Sequence, residues 1–174
     1  VVRCALGWAC WKTYVGRPET DNIRHCAMTL LGNGLSDGNQ HEDAFSVREA
    51  ELALKRRIGA SEIDILITQS NLATTYRNLG RNEEALQLRQ AVYSEHVKHY
   101  GEEHARTLGA VNNYVESLNE LKRFKEAKSL LRKATPVARR VLGEDHIRTL
   151  EMRWCYAAAL YADPAATLDD LREA

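Results

Sequence analysis

The feature that most constrains this chain is an internal repeat with a period of 42 residues. Gly59, Gly101 and Gly143 lie at that spacing, and the sequence Gly-Glu-Glu-His-Ala-Arg-Thr-Leu at Gly101 recurs as Gly-Glu-Asp-His-Ile-Arg-Thr-Leu at Gly143. A second block recurs at the same distance, because Gly80–Leu88 aligns with Lys122–Leu130. Periods of roughly 20–50 residues are typical of repeat proteins, in which each copy buries its apolar face against its neighbours.

The period predicts one repeat domain that occupies the whole chain, 1–174. Its repeats are placed at about 16–58, 59–100 and 101–142, with partial repeats at 1–15 and 143–174. Because the chain begins with Val1 rather than Met, we expect it to be part of a longer protein.

Each repeat has the apolar spacing of two α-helices. Ser61 is a predicted N-cap, and Gly80 is predicted to end the helix in the left-handed conformation that only glycine adopts at little cost. Pro136 is expected to kink one helix near Arg132. The predicted helices cover about 2–14, 20–35, 40–58, 61–79, 82–100, 104–121, 124–142 and 146–161, with a last short helix capped by Asp163 and Pro164.

Composition excludes several classes of function. The chain has 24 Lys plus Arg against 24 Asp plus Glu, so it lacks the cationic excess that a general nucleic-acid-binding protein needs. It has no apolar run long enough to cross a membrane. The four cysteines form no C-x-x-C pair, which argues against a zinc site or a disulfide framework and predicts a reducing, cytoplasmic location.

No motif in the chain points to catalysis. The sequence lacks the nucleophile elbow and the glycine-rich phosphate loops. His104 and His146 occupy one repeat position and are therefore predicted to be structural. His96 and His99 lack the H-E-x-x-H pattern of a zinc enzyme. We therefore predict a protein that is not an enzyme and has no cofactor and no metal site.

The repeat resembles the tetratricopeptide repeat. A small residue, an aromatic residue, a glycine and an alanine stand at Ala73, Tyr76, Gly80 and Ala85, as in that family, with Gly32 as the small residue of the first copy. The long period and the block Leu142–Leu150 are similar to the kinesin-light-chain type. The resemblance implies an all-α, right-handed superhelical solenoid of antiparallel helix pairs whose first helices line a concave groove.

Polar residues on those first helices are the candidate binding site. Asparagine is a mediocre helix former, but its amide can both donate and accept hydrogen bonds, as an extended peptide backbone requires. The alternative is that Asn71 and Asn113, at equivalent positions, hold neighbouring repeats together. The predicted groove residues are Asn33, Ser70, Asn71, Thr74, Arg77, Asn112, Asn113, Glu116 and Asn119.

The sequence thus predicts a scaffold that binds an extended peptide of a partner protein. Two alternatives stay open: a regulatory or sensor region of a larger protein whose effector domain lies elsewhere, and docking of an acidic partner on the basic helix 122–140. That helix is expected to face the convex side. Exposed terminal helices would also permit a homodimer.

Overall fold

The computed structural model describes residues 2–167, and within that range it contains eight α-helices and no strand. The all-α repeat fold predicted from the sequence is confirmed, whereas the handedness of the superhelix stays a prediction. The helices are α1 Val2–Tyr14, α2 Asn22–Asp37, α3 His41–Arg57, α4 Glu62–Asn78, α5 Asn82–Tyr100, α6 Ala105–Glu120, α7 Phe124–Leu142 and α8 Ile147–Ala162.

Local capping explains where these helices begin and end. The Ser61 hydroxyl accepts a hydrogen bond from the Asp64 N–H at 3.2 Å, as predicted for an N-cap. Gly80 has a φ of +74°, and the Arg81 N–H closes the end of α4 by donating to the Tyr76 carbonyl at 2.9 Å. Lys122, which the alignment places at the position of Gly80, adopts the same left-handed region with a φ of 58°.

The repeated histidines are helix caps. The Nδ1 atom of His104 accepts from the Arg106 N–H at 3.1 Å, and that of His146 accepts from the Arg148 N–H at 3.2 Å. Each satisfies one of the backbone donors that the first turn of a helix leaves unpaired. Their predicted structural role is therefore confirmed.

The chain forms two compact units, Val1–Ala85 and Leu86–Ala174. In the first unit α1 lies so close to α2 that a Cβ added at Gly34 would stand 2.5 Å from the Arg3 carbonyl oxygen. A glycine is required there, and it brings the Arg3 end of α1 against the last turns of α2. The core of this unit includes the buried side chains of Ala27, Leu31, Leu35, Ala44, Leu66, Leu72 and Ala73.

The second unit has one apolar core shared by its helices. Helix α7 runs unbroken from Phe124 to Leu142 although Pro136 lies inside it. The core side chains are Leu86, Leu108, Val111, Val115, Leu118, Leu131, Met152, Tyr156 and Leu160.

The first and the last helix in the sequence leave large apolar side chains exposed. On α8, Trp154 is 75% exposed and Tyr161 is 95% exposed. On α1, Val2 and Leu6 are exposed as well. No helix in residues 2–167 has the length and apolar character needed to cross a lipid bilayer. Residues 163–167 are not helical, and the remainder of the last predicted helix lies outside the described residues.

Candidate functional site

A polar cavity of about 350 Å³ lies within the first unit, among α1, α2, α3 and α4. It brings together three of the predicted groove residues, Asn33, Asn71 and Thr74. Its lining residues are Arg3, Asn33, Ser36, Asp37, Arg48, Asn71, Thr74 and Asn78.

The most buried charge in the cavity wall is Arg48, which is 4% exposed. Its Nη2 donates to the Asn33 Oδ1 at 3.0 Å and approaches the Ser36 Oγ at 3.5 Å. Its Nε and Nη1 are also buried, and neither has a hydrogen-bond partner among residues 2–167. Burial lowers the pKa of Arg48, while the charges of Glu51 and Asp37 oppose that change. A buried guanidinium with two unused donors is costly unless an acceptor approaches it.

The acidic groups near Arg48 already have cationic partners. Asp37, in the cavity wall, pairs with Arg3 at 3.0 Å. Glu51, which is 1% exposed, pairs with Lys55 at 2.9 Å. The Thr29 hydroxyl also donates to the Glu51 carboxylate, at 2.6 Å. The cavity wall therefore carries two guanidinium groups and one carboxylate.

The other two residues predicted in this unit lie on α4 but do not line the cavity. The Ser70 hydroxyl donates to the Leu66 carbonyl, 2.9 Å away within the same helix. Arg77 is half-buried in the last turn of α4. Thr74, in the cavity wall, likewise bonds back to the Ser70 carbonyl at 3.2 Å.

In the second unit, two predicted asparagines join α6 to α8. The Asn112 amide donates to the Arg148 carbonyl at 3.2 Å and to the Glu151 carboxylate at 2.9 Å. The Asn119 amide donates to the Cys155 carbonyl at 3.2 Å. Bonding of this kind between repeats was the alternative role considered for Asn71 and Asn113, and the structure shows it for Asn112 and Asn119.

The other two predicted residues of that unit, Asn113 and Glu116, lie around a second buried arginine. Arg89 is 4% exposed. Its Nη1 donates to the Asn113 carbonyl at 2.6 Å, to the Glu116 carboxylate at 3.0 Å and to the Ser117 hydroxyl at 3.0 Å. Arg89 and Glu116 therefore form an ion pair between α5 and α6.

Arg48 and Arg89 occupy the same repeat position, and sequence reasoning missed both. Each stands four residues after an alanine with no exposed surface, Ala44 or Ala85. In the next repeat the same offset from Ala127 leads to Leu131, a core residue. An arginine at a position where another repeat has a buried leucine was the signal that could have revealed them.

The basic helix α7 is extensively paired with acidic residues. Arg123 pairs with Glu126 at 2.6 Å and Lys128 with Asp163 at 2.9 Å. Arg139 pairs with Glu144, and Arg140 with Glu103. These contacts neutralise much of the charge that suggested an acidic partner for this helix.

The sequence of residues 65–148 identifies the repeat family. The tetratricopeptide repeat family matches twice, at residues 65–106 and 107–148. Residues 65–148 are tetratricopeptide repeats. The family predicted from the sequence is therefore confirmed. No curated protein matches the sequence of this repeat protein.

Two crystal structures show the same fold over nearly the whole repeat protein. BtubC (BKLC) from P. vanneervenii aligns with a TM-score of 0.71 and 15% identity, covering 99% of this chain and 79% of the other. A candidate kinesin light chain with nearly identical TPR-like repeats from Podosopora anserina aligns with a TM-score of 0.75 and 20% identity, covering 98% and 82%. The likeness at these identities establishes the kinesin-light-chain-like repeat fold.

Proposed function

We propose that this repeat protein is a non-catalytic scaffold whose first unit binds an extended segment of a partner protein. Tetratricopeptide repeats indicate protein–protein interaction. The main support for peptide binding by the first unit is that Asn33 of α2 and Asn71 and Thr74 of α4 line one cavity. A solvent-exposed surface with scattered polar residues would not produce such convergence.

The chemistry of the cavity suits a peptide backbone. Amide side chains such as those of Asn71 and Asn78 offer donors and an acceptor, which match the alternating N–H and C=O groups of an extended strand. An adjoining cavity of about 380 Å³ shares Arg3, Asn33 and Asp37 with the first and is lined by the apolar side chains of Leu6 and Leu30. It would accept an apolar side chain of the same segment.

The remaining predicted groove residues extend this proposal beyond the cavity. We assign them a secondary role, because several already bond their own helix or a neighbouring one. They are Ser70, Arg77, Asn112, Asn113, Glu116 and Asn119.

A homodimer through the terminal helices is a second candidate function. Trp154 and Tyr161 lie seven residues apart on α8, on one side of the helix, and both are exposed. Sedimentation over a hundredfold range of protein concentration would detect such self-association. We also propose a cytoplasmic location, because Cys4, Cys10, Cys26 and Cys155 are all free thiols.

Peptide-library binding tests the scaffold proposal. Asn71→Ala combined with Thr74→Ala should weaken the selected peptides about tenfold, since each lost hydrogen bond typically contributes about 0.5–1.5 kcal/mol. Asn22→Ala is the matched control, because Asn22 is an exposed asparagine of the same unit that does not line the cavity. Equal binding by all variants, or an equal loss in the control, would contradict the proposal.

A further inference from the structure

The second unit contains a cavity of about 450 Å³ between α7 and α8. Among residues 2–167, its wall carries three guanidinium groups, two hydroxyl groups and one carboxylate, and Leu131 and Pro136 give it an apolar side. The polar residues of the wall are Arg132, Thr135, Arg139, Glu144, Arg153 and Tyr156. Hydrogen-bond donors therefore outnumber acceptors in the described wall of this cavity.

The preceding repeat has apolar residues at three of these places. The positions 42 residues before Thr135, Arg139 and Arg153 are Tyr93, Val97 and Val111. Val111 is 2% exposed, and the cavity that it lines with Tyr93 and side chains of α7 has a volume of about 40 Å³. Between α7 and α8, a closely packed apolar contact is thus replaced by a larger space with a cationic wall.

Two arginines of this wall share one carboxylate. Arg139 donates to Oε2 of Glu144 through Nε at 3.0 Å and through Nη2 at 2.8 Å. Arg153 Nη1 lies 3.5 Å from Oε1 of the same carboxylate. The three groups together keep one net positive charge. Because each guanidinium has five N–H donors, both arginines can also donate to a bound anion.

A buried hydroxyl adds a neutral donor to the same wall. Tyr156 is only 6% exposed. Its oxygen accepts a hydrogen bond from Arg132 Nε at 3.2 Å, so its own hydrogen can be donated to a ligand. A phosphate monoester has three terminal oxygens and a charge of about −1.5 to −2 at pH 7. It therefore suits a donor-rich cationic wall better than a carboxylate, which has two oxygens and a single charge.

We infer that this cavity binds the phosphate group of a small phosphate monoester. Arg139 and Arg153 donate to the phosphate oxygens, because the planar guanidinium matches phosphate geometry and such charged hydrogen bonds are about twice as strong as neutral ones. Leu131 and Pro136 contact the organic part of the ligand. The cavity volume lies within the range of about 300–1,000 Å³ that is usual for small-molecule sites. The inference is independent of the peptide proposal, which concerns the first unit.

Four probes vary the ligand one part at a time. Phenyl phosphate carries the monoester on an apolar ring, benzoate carries a carboxylate on the same ring, and inorganic phosphate lacks the ring. A short peptide with one phosphotyrosine carries the same monoester on a protein segment. In calorimetric titration of the whole chain, we expect phenyl phosphate to bind about tenfold more tightly than benzoate or inorganic phosphate.

Two matched pairs of variants locate the site. Arg153→Val introduces the residue of the preceding repeat and should weaken phenyl phosphate binding about tenfold. Arg140→Val makes the same change at an exposed arginine outside the cavity wall, and should not weaken it. Glu144→Gln removes the competing carboxylate and should tighten binding about threefold. Glu103→Gln, at the partner of Arg140, is its control and should leave the affinity unchanged.

Three results would overturn the inference. Equal affinities for phenyl phosphate and benzoate would remove the assignment to phosphate. Equal effects of the members of either pair of variants would show attraction by the net charge of the chain, with no defined site. Binding of the phosphotyrosine peptide without binding of phenyl phosphate would replace the small molecule by a phosphorylated protein segment. None of these results depends on whether the first unit binds a peptide.

Discussion

The first and second units use one buried arginine position in two different ways. In the second unit Arg89 donates to the backbone carbonyl of Asn113, the Glu116 carboxylate and the Ser117 hydroxyl, all on α6. These hydrogen bonds join α5 to α6. In the first unit Arg48 bonds Asn33 and Ser36, lines a cavity, and keeps two buried nitrogens without a hydrogen-bond partner among residues 2–167. The position of Glu116 is occupied by Thr74 in the first unit, so α4 supplies no carboxylate there.

The asparagines of the two units differ in the same direction. Asn112 and Asn119 use their amides to hold α8, whereas Asn71 lines the cavity. The second unit therefore uses these asparagines to join two helices, whereas the first unit leaves Asn71 in the wall of a cavity.

The largest effect should come from removing the arginine of each unit in turn. Arg89→Leu deletes three hydrogen bonds and leaves Glu116 without this cation, which should cost about 2–3 kcal/mol of unfolding free energy. Arg48→Leu should change the unfolding free energy by less than about 1 kcal/mol, because it removes a costly buried charge. Urea denaturation measures both, and equal losses would break the comparison.

The packing of α1 that shapes the cavity is tested at Gly34. A Cβ there would lie 2.5 Å from the Arg3 carbonyl, so Gly34→Ala must displace α1, at a cost of about 1–3 kcal/mol. The same substitution at Gly16, where a Cβ meets nothing within 4 Å, is the control. Thermal unfolding compares them, and coincident melting curves would contradict the close approach of α1 and α2.

The contrast between Asn112 and Asn71 predicts a smaller difference in unfolding free energy. Asn112→Ala removes two hydrogen bonds between α6 and α8 and should cost about 1–2 kcal/mol. Asn71→Ala, at the edge of the cavity, should cost about 0.5 kcal/mol or less. Denaturation curves of the two variants give the values directly. The reverse ranking would show that Asn71 is the structural residue.

The smallest effect is the pH dependence of stability that His96 contributes in the second unit. Burial, with help from the positive charge of Arg106, lowers the pKa of His96 below its ordinary value of 6.5. The unfolded chain therefore binds this proton more tightly than the folded chain, and stability should fall as the pH drops below about 6.5. His96→Leu should flatten that dependence, whereas His99→Gln, at an exposed position, should not. If the pH dependence of stability is unchanged in His96→Leu, His96 is not its cause.

The sequence predicted the helices because repetition multiplies each local signal. The Ser61 cap, the Gly80 turn and the histidine caps each recur or follow a strong local preference. The site was only partly predictable. Asn71 and Asn112 share the helical pattern of polar residues, and nothing in the sequence tells which of them reaches a neighbouring carbonyl.

Arg48 was missed for a related reason. A charged residue on a second helix normally reads as solvated surface, and only the structure shows it turned inward at 4% exposure. Comparing Arg48, Arg89 and Leu131 across the repeats marks this position as buried. The difference between Arg89, which is paired with Glu116, and Arg48, which keeps two unbonded nitrogens, becomes evident only when the helix that faces each arginine is known.

Arginine side-chain NMR tests the central comparison most directly. In a protein labelled with ¹⁵N at arginine, the Nε–H signals of Arg48 and Arg89 can be assigned from the two leucine variants. Titration with the tightest-binding library peptide should shift the Arg48 signal in a saturable way, because Arg48 lines the cavity, and should leave the Arg89 signal in place, because Arg89 already pairs with Glu116. An unmoved Arg48 signal in the presence of bound peptide would contradict the account.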